Sequence, residues 1–186
     1  MTVLEVHFPD SWTIVPGGPH GLEAVTALVA GLDEHRSGGS RGRQLPGLLP
    51  LLTDVPLESF ACLLAPDVVP GPTMRACCAI GVMSTGAAAG DADLREVAES
   101  GPHRGLDRQT RTVILPLGRA VRSSAVRFAE ELLAVPEVAP YVAEVRFALP
   151  LPAGRIGVLH FETMELDRLA EMTGLFDEVA RTARLA

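Results

Sequence analysis

Pro152-Ala153-Gly154 lies between two β-rich runs, residues 142–150 and Arg155–Thr163, and this reversal constrains the chain more than any other stretch. A three-residue hairpin loop runs as a type I turn followed by a left-handed residue, and Gly154 takes that last place without a Cβ clash. The loop sets Leu151 opposite Arg155, Phe147 opposite Leu159 and Val145 opposite Phe161. Phe147, Leu159, Val145 and Phe161 then share one face, and burying each is worth about 1.5–3 kcal/mol. A loop of two or four residues would mix apolar and polar side chains on both faces, so pattern and turn agree on one register.

A helix follows, predicted over about 165–184 with Thr163 as its N-cap. Leu166, Leu169, Met172, Thr173, Phe176, Val179, Ala180 and Ala183 fall on one stripe at helical spacing. Glu165 and Asp167 stand near its positive end, Arg181 and Arg184 near its negative end, as the macrodipole favours. Such a helix, directly after a half-apolar hairpin, packs onto the sheet.

The remaining elements read in order. Residues 2–8 and 12–15 form short strands about a Pro9-Asp10-Ser11 turn, and a helix spans 21–34. Residues 36–43, rich in Ser, Gly and Arg, form a loop, and 45–53 a short irregular helix interrupted by Pro46 and Pro50. Leu57–Ala65 and 74–83 are near-continuous apolar runs that suit central strands buried on both faces. Asp91 caps a short helix ending near Glu99; 111–115 is a strand, and 119–128 is strand or mixed structure. Short turns between neighbouring strands imply a mainly antiparallel sheet flanked by helices, an α/β (α+β) fold in one domain over residues 1–186.

Composition removes several function classes. All sixteen basic residues are arginine, and neither lysine nor asparagine occurs, so lysine Schiff bases and phosphate-loop lysines are excluded. A net charge of −7 speaks against nucleic acid as a partner. No run is apolar for long enough to span a membrane, and the first residues lack the pattern of a signal peptide, so a cytoplasmic location is expected. Cys62, Cys77 and Cys78 have no zinc-site spacing and read as buried, reduced and structural.

Three closing runs, LPLGRAVR, FALPLPAGRIGVLHFET and LDRLAEMTGLFDEVART, resemble a group of actinobacterial proteins. Gly118, Ala120, Arg122, Pro150, Pro152, Phe161, Thr163, Leu175, Phe176 and Asp177 carry the likeness. That group is similar to the PsbP-type α/β/α sandwich shared by the extrinsic photosystem subunit and the yeast Ran nucleotide-release factor. Some members are associated with type VII secretion loci. The resemblance therefore implies a partner-binding or chaperone-like role and brings no catalytic residues with it.

The hairpin register also collects Glu144, Arg146, His160 and Glu162 on the face opposite Phe147 and Leu159. Two readings stand: a solvated sheet face with ordinary cross-strand pairs, or an exposed recognition surface. One His, two carboxylates and an intervening Arg suit a metal poorly, and no cofactor is expected. Neither G-x-S-x-G nor a phosphate-loop motif occurs, and His7, His20, His35 and His103 read as surface side chains. The expected function is a non-catalytic protein-interaction module, an accessory subunit or secretion-linked chaperone, binding a protein partner or itself. Its candidate contacts are the quartet, Leu175 and the 36–43 loop. A small-molecule-binding protein or enzyme with a cavity between sheet and helix is the alternative.

Overall fold

The computed structural model of the protein describes residues 3–17, 23–24, 27, 57–65, 73–86, 88–100, 106–128 and 141–186. Its elements are β1 (Leu4–Glu5), β2 (Trp12–Pro16), β3 (Leu57–Ala65), β4 (Thr73–Ser84), α1 (Asp91–Glu99), β5 (Leu106–Leu115), β6 (Gly118–Phe128), β7 (Tyr141–Leu151), β8 (Arg155–Thr163), α2 (Leu169–Arg181) and β9 (Arg184–Leu185). Of the helix expected over 21–34, Glu23, Ala24 and Ala27 are described, and they are helical. The loop at 36–43, the irregular helix at 45–53 and three histidines, His20, His35 and His103, lie outside the described residues.

Seven strands form one antiparallel sheet in the order β2-β3-β4-β8-β7-β6-β5. The closing hairpin takes the expected register, with Leu151 opposite Arg155, Phe147 opposite Leu159 and Val145 opposite Phe161. With side chains alternating along each strand, one face presents Val145, Phe147, Leu149, Leu159 and Phe161. Met172, Phe176, Val179 and Ala180 of α2 close over them. Phe161 stacks on Phe176 with centroids 4.6 Å apart and meets Phe147 edge-on at 6.0 Å, geometries that aromatic quadrupoles favour. On the other face Leu94, Val97 and Ala98 of α1 pack on Val121, Ala148, Ile156 and Val158. The architecture is thus α+β, a mainly antiparallel sheet with a helix on each face.

Several local expectations are corrected. Ala153 as well as Gly154 lies at positive φ (60° and 65°), so the reversal holds two left-handed residues rather than one. The closing helix begins later than 165: a 3₁₀ turn, Leu166–Arg168, precedes α2, whose N-cap is Arg168. Thr163 stays in β8, its Oγ1 donating to the Arg75 carbonyl at 2.7 Å and accepting from the Glu165 N–H at 3.1 Å. The helix also stops at Arg181. Arg184–Leu185 turns into β9 and pairs with β1, a long-range ladder that no local pattern announces. Gly90, not Asp91, is the N-cap of α1, and Asp93 Oδ2 accepts the Gly90 N–H at 2.7 Å. Residues 119–128 are plain strand within β6, and β5 starts at Leu106, ahead of the expected 111.

Candidate functional site

The four polar residues of the hairpin stand where the register predicts, with Arg146 opposite His160 and Glu144 opposite Glu162. Their surroundings overturn both readings of that face. Arg146, His160 and Glu162 are buried, Glu162 completely, and only Glu144 keeps some exposure. The face is neither solvated nor an open recognition surface, and α1 meets it at Arg146. Leu175, the other expected contact, is half-buried against the α2-side core.

The physical reason for the buried charges begins with α1. A helix ends in unsatisfied carbonyls and a partial negative charge, and α1 has no basic residue in its last turn. The sheet supplies what the helix lacks. Arg146 Nη1 donates to Ser100 Oγ at 3.2 Å and approaches the Val97 carbonyl at 3.5 Å. Arg108 Nη1 donates to the Glu99 carbonyl at 3.0 Å, while its Nη2 pairs with Glu144 Oε1 at 3.1 Å.

Beneath the helix the chain of bonds continues inward. Arg146 Nε donates to His160 Nδ1 at 3.0 Å. A guanidinium only donates, so Nδ1 is the acceptor and the imidazole carries its proton on Nε2. That N–H points at Glu162 Oε1, 3.2 Å away, which also accepts from Arg127 Nη2 at 3.4 Å. Burial pushes the Glu162 carboxyl up, but the His160 hydrogen bond and the Arg127 charge outweigh it and hold the group below its ordinary value. Burial draws the Arg146 guanidinium down from its usual range.

Glu144, His160 and Glu162 bring ligand atoms within 4.8 Å of one another, which raises the question of a metal. The donor chemistry opposes one. Coordination through Nε2 would move the imidazole proton to Nδ1, straight at the Arg146 N–H. Arg108 and Arg127 already engage the two carboxylates, and with Arg146 they place three fixed positive charges around the trio. The arrangement works as a rigid charged strut between sheet and helix.

The cysteines behave as small apolar side chains. All three are buried and free. Burial pushes the Cys62 thiol up to about 11, and it pushes Cys77 and Cys78 well up too, with the Glu162 charge adding to the effect at Cys77. None is poised as a thiolate nucleophile.

A second constellation lies on the α2 face. Leu169, Thr173 and Asp177 follow one another at four-residue spacing and form a ridge of α2. Opposite them, the sheet rows Arg111–Arg122–Phe147 and Gln109–Ser124–Val145 are set by the ladder. Ser124, Val126, Ala143 and Val145 are small, so an open cleft of about 430 Å³ remains between ridge and sheet. Arg122 closes one end, its side chain 9% exposed; Nε donates to Asp177 Oδ1 at 2.8 Å and Nη1 to Ser124 Oγ at 3.2 Å. Its guanidinium lies 5.8 Å from the centre of the Phe147 ring. Arg111, largely exposed, reaches Asp177 Oδ2 at 3.7 Å.

A cavity between sheet and helix was the alternative the sequence offered, but the residues that line this cleft were not singled out as a set there. The residues that carry the family resemblance meet in pairs in space: Arg122 with Asp177, and Phe161 with Phe176. A Cβ on Gly118 would stand 3.7 Å from Pro150 Cγ. Arg119, Arg122 and Arg127, close in sequence, separate completely. Arg119 pairs with Asp91 on the surface, Arg122 faces α2, and Arg127 is buried beside Glu162.

Among the described residues, fold and sites define an α+β protein with a charged strut and an open cleft on opposite faces of its sheet. Among the described residues, no helix is long and apolar enough to cross a membrane. No protein-family model matches the chain, and no curated protein matches it in sequence.

Proposed function

We propose that the protein acts by binding, as a cytoplasmic interaction module of the PsbP-like α/β/α sandwich type, and that a partner protein meets it along β5. One observation carries this reading. β5 is a ten-residue edge strand that pairs only with β6 among the described residues, and Ile114 near its end is 74% exposed. A free strand edge offers main-chain hydrogen bonds to an added strand, and exposed apolar side chains along it supply contact area. The helix on each sheet face supports the sandwich assignment, and a role as an accessory subunit or secretion-linked chaperone follows from the resemblance. The buried quartet serves this surface indirectly, since Arg108 ties β5 to β7 through Glu144.

The test is hydrogen exchange and photo-crosslinking from position 114 in native complexes isolated from the host. Protection of β5 amides and a crosslink lost in Ile114→Asp are expected. A chain that stays monomeric, with β5 amides equally exposed inside and outside its complexes, would overturn the proposal. A second reading, small-molecule binding between sheet and helix, is favoured by the open cleft beside α2.

A further inference from the structure

We infer that the cleft between α2 and β5–β7 is a carboxylate site, and that its occupant is a small amphipathic acid held by Arg122 and Arg111. The inference rests on the second of the two readings above and gives that reading a ligand class.

The cation is built into one end. Arg122 is nine-tenths buried, yet its bonds engage only Nε and Nη1, and no acceptor among the described residues meets Nη2. That donor is not among the sealed-off polar atoms, so it stays open to an anion entering the cleft, and a charge-assisted bond there is a strong one. Arg111 stands opposite Arg122 in the ladder, and the two arginines share the single carboxylate of Asp177. One positive charge therefore remains uncompensated at that end. The planar fork of a guanidinium matches a carboxylate in geometry as well as charge.

Two other acidic residues border the cleft. Glu144 is already engaged by Arg108, on the opposite face of the sheet, and Asp107 sits exposed at the rim, at the irregularity where β5 leaves register with β6. Asp107 also holds a φ of 52°, an uncommon conformation that re-aims the strand there.

The rest of the lining sets the ligand's other half. Val126, Ala143, Val145 and Leu169 make an apolar floor and wall, while Gln109, Ser124 and Thr173 add side-chain polar groups. A volume of about 430 Å³ falls in the range of small-molecule sites and far exceeds one acidic side chain, so the geometry favours a free acid over a residue of a partner. The class is a carboxylate with an apolar tail of medium length.

The probes are octanoate, octanol and octylammonium, titrated into the intact protein by calorimetry, with the site read from NMR shifts at Arg122 Nε–H and the Thr173 methyl. Octanoate is expected to bind one to one, about tenfold or more tighter than octanol, and octylammonium not at all. Arg111→Ala, at an exposed position, should weaken octanoate about tenfold without affecting octanol. Gln109→Trp, which narrows the cleft and leaves its charge alone, should weaken both.

Octanol binding as tightly as octanoate would overturn the carboxylate assignment and leave small-molecule binding standing. Failure of all three probes would sink both. Preferential binding of a blocked glutamate-containing peptide over octanoate would transfer the site to a partner's side chain and overturn the inference.

Discussion

Arg146 and His160 face each other across the β7–β8 ladder, and the guanidinium Nε donates to the imidazole Nδ1 at 3.0 Å. That one bond orders the rest of the interior charge. It fixes the imidazole proton on Nε2, directs it at Glu162, and leaves Arg146 Nη1 to meet the end of α1. The charges are retained because each has an assigned partner, and Arg146 ties them to the end of α1.

Removing one member of the strut should cost far more than a surface ion pair. Arg146→Met leaves the end of α1 to Arg108 alone and Glu162 without part of its field, and breaking a buried network in this way costs about 3–5 kcal/mol. Urea denaturation should register the loss, and hydrogen exchange should show the last turn of α1 opening first. A variant as stable as the parent would mean the strut is ornamental.

Stability should fall in acid through Glu162. Its carboxyl is held below the ordinary glutamate value, about 4.3, so the unfolded chain takes up this proton before the folded one does as pH drops. The stabilisation is therefore complete above that ordinary range and is lost as pH falls through the folded value. Glu162→Gln should flatten this limb of a stability–pH curve; an unchanged limb would assign the acid sensitivity to other groups.

Divalent cations should leave the trio of Glu144, His160 and Glu162 untouched. Zinc or manganese binding by the intact protein in equilibrium dialysis is expected to be the same with His160 as with Gln in its place. Binding that disappears in His160→Gln would show that the Arg146 bond yields to a metal.

On the other face, Phe176→Ala should destabilise by about 3–5 kcal/mol, since it empties the space against Phe161. Leu175→Ala, at a half-buried neighbouring position, should cost clearly less. Equal losses would mean that the α2 interface is not centred on the stacked rings.

The hairpin tip offers a change in the opposite direction. Ala153 sits at a φ of 60°, a conformation that costs an L-residue about 1–2 kcal/mol and glycine almost nothing. Ala153→Gly should raise stability by up to about 1 kcal/mol after the entropy of the added glycine is deducted. Thermal unfolding checks this directly, and a lower midpoint would contradict it.

Much of the architecture was legible in the chain because it is local. A strand repeats every two residues and a loop of fixed length allows one pairing, so Phe147 had to meet Leu159 and Arg146 had to meet His160. The burial of the quartet was harder to see. The helix that meets Arg146, α1, lies some fifty residues earlier, and nothing local says which sheet face a helix chooses. One signal was present: Ala148, Ile156 and Val158 share the quartet's face, and an apolar half-face requires a lid.

The order of β-rich and helical runs, the turn at Pro152-Ala153-Gly154, the inward set of the last two strands and the inert character of the cysteines belong to the sequence alone. They follow from periodicity, side-chain volume and backbone sterics, which act over a few residues. The meeting of Arg122 with Asp177, the pairing of β9 with β1 and the docking of α1 on two arginines belong to the tertiary structure. Each joins residues far apart in the chain, and such contacts form only where the packing of whole elements brings their charges and backbone edges within bonding distance.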